Sequence, residues 1–130
     1  MGTGRRRVLL IEDQYDTRAA LTAYLTLMGH HVEQAADGTG GLASARRQMP
    51  DVVVLDMWLP DMHGEVAIRA LRAAPNGKHL NIIVLTGVGD PADRRRACDA
   101  GCDAFLLKPP NLSELEGLIA SASRSKRAPL

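Results

Sequence analysis

The sequence predicts an α/β protein: a doubly wound parallel sheet of five strands with helices on both faces. Two observations carry this. First, four short apolar runs each end at a polar residue. Val8-Leu9-Leu10-Ile11 stops at Glu12-Asp13, Val52-Val53-Val54-Leu55 at Asp56, Ile82-Ile83-Val84-Leu85 at Thr86, and Ala104-Phe105-Leu106-Leu107 at Lys108. Runs of this length, rich in Val and Ile, read as strands buried on both faces. Second, strand and helix patterns alternate five times, which argues for a parallel sheet with right-handed crossovers. The 130 residues suit one domain with one hydrophobic core.

The first strand covers about residues 7–11. Leu21, Tyr24, Leu25 and Met28 then recur at i, i+3, i+4, i+7, one face of a helix that Gly29 stops. Residues 31–35 alternate and are more polar, so they read as an edge strand. Asp37-Gly38 is expected to turn the chain. Leu42, Ala45 and Met49 mark a second helix, ended by Pro50. After the Val52 run, a loop over residues 57–64 leads to a third helix marked by Ala67, Ala70, Leu71 and Ala74 and broken at Pro75-Asn76-Gly77. Pro91 suits the first turn of a fourth helix running to about Ala100. A fifth helix carries Leu115, Leu118, Ile119 and Ala122, with Asn111 or Ser113 as its cap. Boundaries follow: a flexible basic N-terminus over residues 1–6, one domain over 7–124, and a flexible tail over 125–130.

Composition excludes several classes. Apolar residues are 45% and charged residues 24%, ordinary for a globular protein, and a net charge of +1 gives no general pull toward nucleic acid or membrane. Aromatics are 3%, so the core is aliphatic and stacking platforms for single-stranded nucleic acid are missing. Two cysteines, Cys98 and Cys102, do not make a secreted disulfide scaffold and read as reduced thiols. His30, His31, His63 and His79 show no zinc-ligand spacing with them. Arg5-Arg6-Arg7 precedes only four apolar residues, too few for a signal-peptide core or a membrane span, so the cytoplasm is the expected location.

If the strands are parallel, Glu12, Asp13, Asp56, Thr86 and Lys108 converge at the C-terminal edge of the sheet, where such folds place ligands. Clustered carboxylates repel one another unless a cation joins them. An all-oxygen donor set shared with a phosphate suits Mg²⁺. Asp56, at the end of the central-looking Val52 run, is the candidate nucleophile for an aspartyl phosphate. Thr86 can donate to one phosphoryl oxygen and Lys108 can neutralise another; positioning and charge neutralisation are most of the catalysis in phosphoryl transfer. Each residue alone also reads as a cap, a turn former or a surface lysine. Their conjunction at four strand ends is the signal.

Over nearly its whole length the chain resembles the receiver domain of two-component response regulators. The resemblance rests on Leu10-Ile11-Glu12-Asp13, on residues 55–64 (Leu55-Asp56-Met57-Trp58-Leu59-Pro60-Asp61-Met62-His63-Gly64), on Leu85-Thr86-Gly87, and on residues 100–109 ending in Leu107-Lys108-Pro109. It implies a flavodoxin-like sheet of order 2-1-3-4-5. It implies that Asp56 takes a phosphoryl group from a sensor histidine kinase or a histidine phosphotransfer protein. Mg²⁺ would then be held by Glu12, Asp13, Asp56 and the backbone carbonyl of Trp58, with Thr86 and Lys108 on the phosphoryl oxygens and a cis Lys108-Pro109 bond. Thr86 and Phe105 would form a switch that changes the partners of the face made by the fourth helix, fifth strand and fifth helix. Those partners would be an unidentified downstream protein or a second copy in a homodimer, with direct binding of nucleic acid or membrane not expected.

Four features depart from the commonest family pattern. Glu12 stands where Asp is frequent, and Phe105 replaces a Tyr. Trp58 and Val88, two residues after Asp56 and Thr86, are apolar at positions that tune dephosphorylation, so a long-lived phosphoryl group is expected. Arg94-Arg95-Arg96 reads as a solvated basic face, with a docking surface as the functional alternative. The leading reading is a single-domain signalling switch and not a metabolic enzyme; a piece of a longer regulator or hybrid kinase is the other form it can take. The alternative class is a haloacid-dehalogenase-like Mg²⁺ phosphatase, but that family places a second Asp where Trp58 stands. A flavodoxin-type cofactor binder would set a phosphate against Glu12-Asp13, which would repel it.

Overall fold

The computed structural model describes residues 5–123. In chain order the elements are β1 (Arg7–Ile11), α1 (Tyr15–Leu27), β2 (His31–Ala35), α2 (Gly38–Arg47), β3 (Val52–Leu55), α3 (Gly64–Ala73), a short 3₁₀ turn (Gly77–His79), β4 (Asn81–Thr86), α4 (Pro91–Ala100), β5 (Ala104–Leu107) and α5 (Leu112–Ser121). All strand pairs are parallel and the order is β2-β1-β3-β4-β5. The family of proteins with this sheet order reverses its winding between β1 and β3, which opens a crevice at their C-terminal ends.

The alternation of side chains along each strand builds two cores. Leu9, Ile11, Val53, Leu55, Ile82, Val84 and Phe105 face α2, α3 and α4, whose Ala45, Ala67, Ile68, Leu71 and Ala97 close that side. Val8, Leu10, Val52, Val54, Ile83 and Leu85 face the other way, against Leu21 and Leu25 of α1 and Leu115 and Ile119 of α5. Full burial of each such aliphatic side chain contributes roughly 1.5–3 kcal/mol. Because the three inner strands are covered on both sides, they carry no polar residue between their first position and their C-terminal end.

Register then fixes the site. Ile11 pairs with Leu55, and Leu55 with Val84. Glu12 and Asp56, the next residues, therefore emerge side by side. Lys108 follows β5 directly, and its N–H donates to the Thr86 carbonyl at 2.9 Å.

Several expectations change at the edges. β5 is the outer strand that the order 2-1-3-4-5 implies, but its run is not buried throughout: Phe105 is buried, Ala104 and Leu106 are half-buried, and Leu107 is exposed. Its apolar run read as buried on both faces because nothing in the run itself shows how much of it the helices cover. Asp37 does not make a turn with Gly38; it caps α2, accepting from the Gly40 N–H. Met28 leaves the core face at the end of α1, and Ile68 joins the core through α3. Of the expected flexible segment 1–6, Arg5 and Arg6 are described and both are tied down. Arg5 donates to the Gly29 carbonyl, and Arg6 to the Ala122 and Ala120 carbonyls at 2.7 and 2.8 Å. The expected tail 125–130 lies outside the described residues.

Arg72 of α3 is the principal polar tie below the sheet. Its guanidinium donates to the carbonyls of Gly101, Gly77 and Leu80 and pairs with Asp103 at 3.0 Å. Three carbonyls that end or enter elements thus share one cation. Arg72→Ala leaves them without it, and a loss of about 2–3 kcal/mol of stability is expected from hydrogen bonds to a charged group. Urea denaturation measures it; a loss well under 1 kcal/mol would show that water replaces the guanidinium at no cost.

Candidate functional site

Asp56 is buried at the end of β3, and both of its carboxylate oxygens are engaged. Oδ1 accepts from the Thr86 hydroxyl at 2.8 Å and from the Trp58 N–H at 3.0 Å. Oδ2 accepts from the Lys108 ammonium at 2.8 Å. The same ammonium pairs with Glu12 Oε1 at 2.5 Å, and Glu12 Oε2 accepts from the Gln14 N–H. One cation therefore serves two buried carboxylates. Burial alone would lower the Lys108 pKa, but the hydrogen bonds to Asp56 and Glu12, together with their charges, outweigh it and raise it above the ordinary lysine value. Lys108 is therefore an ammonium throughout the neutral range.

Asp13 is the exposed member of the acidic group. Glu12, Asp13 and Asp56 each offer one carboxylate oxygen, and these oxygens lie within 4.8 Å of one another. Three carboxylates against one ammonium leave a net negative site, which a hard divalent cation fits by charge and by donor type. Arg18 steadies this corner from α1, donating to the Glu12 carbonyl at 2.7 Å, with its guanidinium 5.7 Å from the Tyr15 ring centroid.

The loop after Asp56 is anchored at both ends. Gly64 donates to the Met57 carbonyl at 2.6 Å, and a Cβ at Gly64 would come within 2.7 Å of the Met57 Cα, so the close approach needs glycine. Asp61 reaches across to α2 and accepts from the N–H groups of Gly38 and Thr39 and from the Thr39 hydroxyl, at 2.7–2.8 Å. Those bonds, the hydroxyl's first, hold its pKa down at about 2 against an ordinary 3.8.

Thr86 and Phe105 both point inward. Thr86 is fully buried and bonded to Asp56; Phe105 is 9% exposed within the core on the α4 side. The Arg94 guanidinium sits 5.6 Å from the Phe105 ring centroid. Arg96 faces the buried Asp93 at 3.6 Å. Arg94, Arg95 and Arg96 are exposed, as a solvated basic face would be, but two of the three also make specific contacts. Cys98 and Cys102 are free thiols; burial, followed by the neighbouring Cys98, pushes the Cys102 thiol up to about 12.

The structure brings all the residues singled out at the strand ends into one cluster, and the Lys108-Pro109 bond is cis. Sequence reasoning missed Arg18, Asp61, His63 and Arg94. Arg18 meets backbone carbonyls, Asp61 and Arg94 meet groups 11 or more residues away, and His63 meets Asp93 of α4 as well as its near neighbours, so no local pattern announces these contacts.

Comparison with known proteins agrees with this geometry. The family model for the response regulator receiver domain matches residues 8–120. The chain belongs to that family, a class of signalling switch. The transcriptional regulatory protein KdpE of Mycobacterium tuberculosis is 37% identical over 124 residues, covering 93% of this chain and 52% of that protein. The gliding motility regulatory protein of Myxococcus xanthus is 35% identical over 80% of this chain but only 13% of its own length. The chain thus spans about half, or less, of the curated relatives it matches. Among solved structures, the receiver domain of sensor histidine kinase PA1611 from Pseudomonas aeruginosa, with a magnesium ion coordinated in its active-site cleft, is 34% identical with a TM-score of 0.81, covering 88% of this chain and 93% of that one. The chemotaxis response regulator CheY4 of Vibrio cholerae is 30% identical with a TM-score of 0.80, covering 86% and 97%. These matches leave the haloacid-dehalogenase-like alternative without support. Among the described residues no helix is long and apolar enough to cross a membrane.

Because the folded pKa of Asp61 lies below its ordinary value, its contribution to stability is present above pH 3.8 and is lost as pH falls through about 2. Asp61→Asn is expected to flatten the dependence of Tm on pH across that window. Parallel slopes for the two proteins would contradict the role assigned to these bonds.

Proposed function

We propose that this chain is a phospho-accepting receiver, spanning residues 7–124, in which Asp56 takes a phosphoryl group from a phosphohistidine on a sensor kinase or phosphotransfer protein in the cytoplasm. The observation that carries the reading is the pair of donors on one buried carboxylate: the Thr86 hydroxyl on Oδ1 and the Lys108 ammonium on Oδ2, both at 2.8 Å. A structural aspartate needs neither an ammonium shared with a second carboxylate nor an acidic neighbour on the open side.

In this reading an Asp56 oxygen attacks phosphorus and the N–P bond of the donor breaks. Its electron pair returns to the imidazole nitrogen, which takes a proton. Lys108 and Thr86, already on the carboxylate, need only shift to the new phosphoryl oxygens, so their reorganisation cost is small. Glu12, Asp13, Asp56 and the Trp58 carbonyl would hold Mg²⁺, which offsets the repulsion between these carboxylates and an incoming phosphate. Thr86 carries the change to Phe105, and through it to the face of α4, β5 and α5. That face would then meet a downstream protein or a second copy of the chain. Phe105 has no hydroxyl, so its inward state is held by packing and by Arg94 alone.

Trp58, the single tryptophan, bonds Asp56 through its own N–H and reports on the site. Titration with Mg²⁺ and then acetyl phosphate is expected to change its fluorescence in two steps. Asp56→Asn should abolish the second step, and Lys108→Ala should slow it by about 100-fold, the usual cost of one charge-stabilising donor. A donor response that persists in Asp56→Asn would place the chemistry elsewhere.

A further inference from the structure

His63 is a site-loop residue with a ring nitrogen that the reading above leaves without a task. It caps α3: its Nδ1 accepts from the Glu65 N–H at 3.2 Å. An accepting Nδ1 carries no proton, which puts the ring proton on Nε2. That Nε2 is buried, makes no hydrogen bond, and lies 3.8 Å from Oδ1 of Asp93, a buried carboxylate in the first turn of α4. The imidazole also meets the Trp58 indole edge to face, with centroids 4.8 Å apart and planes at 89°. The two residues are paired across the loop as an isolated antiparallel bridge.

Trp58 is half-exposed, and its backbone N–H sits on Asp56. Its side chain therefore begins next to the phosphoacceptor and stands half in solvent there. A half-exposed indole has no core to fix it. The only ring packed against it among the described residues is that of His63, whose own placement is set by the α3 cap on one side and α4 on the other.

We propose that His63 is a positioning residue that braces the Trp58 indole at the mouth of the Asp56 site, with Asp93 of α4 as its anchor, and so lengthens the lifetime of the phosphoryl group. The lifetime part rests on Asp56 being the phosphoacceptor; the brace does not. An edge-to-face aromatic contact favours one ring orientation by about two- to tenfold, and this sets the size of the effect. The anchor also gives α4 a second connection to the site, separate from Thr86 and Phe105. Movement of α4 that closes the gap between Asp93 and Nε2 tightens the brace.

The test uses His63→Asn, because Asn still accepts from the Glu65 N–H and keeps α3 capped while the ring is lost. Without any phosphodonor, acrylamide quenching of Trp58 is expected to rise about twofold or more in His63→Asn, with a smaller rise in Asp93→Asn. With donor, the half-life of the phosphorylated protein should fall by a similar factor in His63→Asn and in Trp58→Ala. The double variant should decay no faster than Trp58→Ala alone, since His63 acts through the indole. Unchanged quenching in His63→Asn would overturn the brace. Additive effects on half-life would overturn its action through Trp58. If the parent protein accepts no phosphoryl group, the lifetime claim falls with the receiver reading, while quenching still decides the brace.

Discussion

The Lys108 ammonium between Glu12 and Asp56 is the interaction on which the rest of the site depends. Two buried carboxylates side by side repel each other. One cation, the Lys108 ammonium, lies 2.5 and 2.8 Å from them and offsets their mutual repulsion. The third carboxylate, Asp13, lies exposed on the open side. Three carboxylates meet there with one shared ammonium, a donor set that suits a hard cation.

The sheet makes this meeting possible. β1 and β3 are neighbours in register, so Glu12 and Asp56 leave the sheet together, while β4 and β5 bring Thr86 and Lys108 from the other side. The strands behind these residues are sealed by helices on both faces, and the polar groups are confined to the ends. The loop after Asp56 is then clipped to α2 through Asp61 and approaches α4 through His63. The site is consequently joined to the helices on one face of the sheet, the face that also holds Phe105. In the proposed reading a change in charge at Asp56 would reach α4 by way of Thr86 and Phe105, and the Trp58–His63–Asp93 contacts offer a second connection to that helix.

Much of this was legible in the chain. An inner parallel strand must be apolar until it ends, so each run marked both a strand and the position of a site residue. The polar alternation of residues 31–35 placed β2 at an edge for the same reason. β5 misled only in its burial: the order 2-1-3-4-5 put it at an edge, but its apolar run read as covered on both faces. Met28 and Ile68 exchanged places relative to the expected core because a helix's buried arc is set by the surface it packs on as well as by its period. Asp61 read as a loop residue and proved to be a cap for a helix 22 residues earlier in the chain. Arg94 read as one of three solvated arginines, yet it lies over the only phenylalanine. Contacts of this kind join segments that no local period connects.

The most direct test of the account is to locate the phosphoryl group. The protein would be incubated with a phosphohistidine donor protein, with and without Mg²⁺, and its peptides analysed by mass spectrometry after borohydride trapping of acyl phosphate. The account predicts one modified residue, Asp56, formed only when Mg²⁺ is present. Modification at another residue, or at Asp56 equally well without the metal, would contradict it.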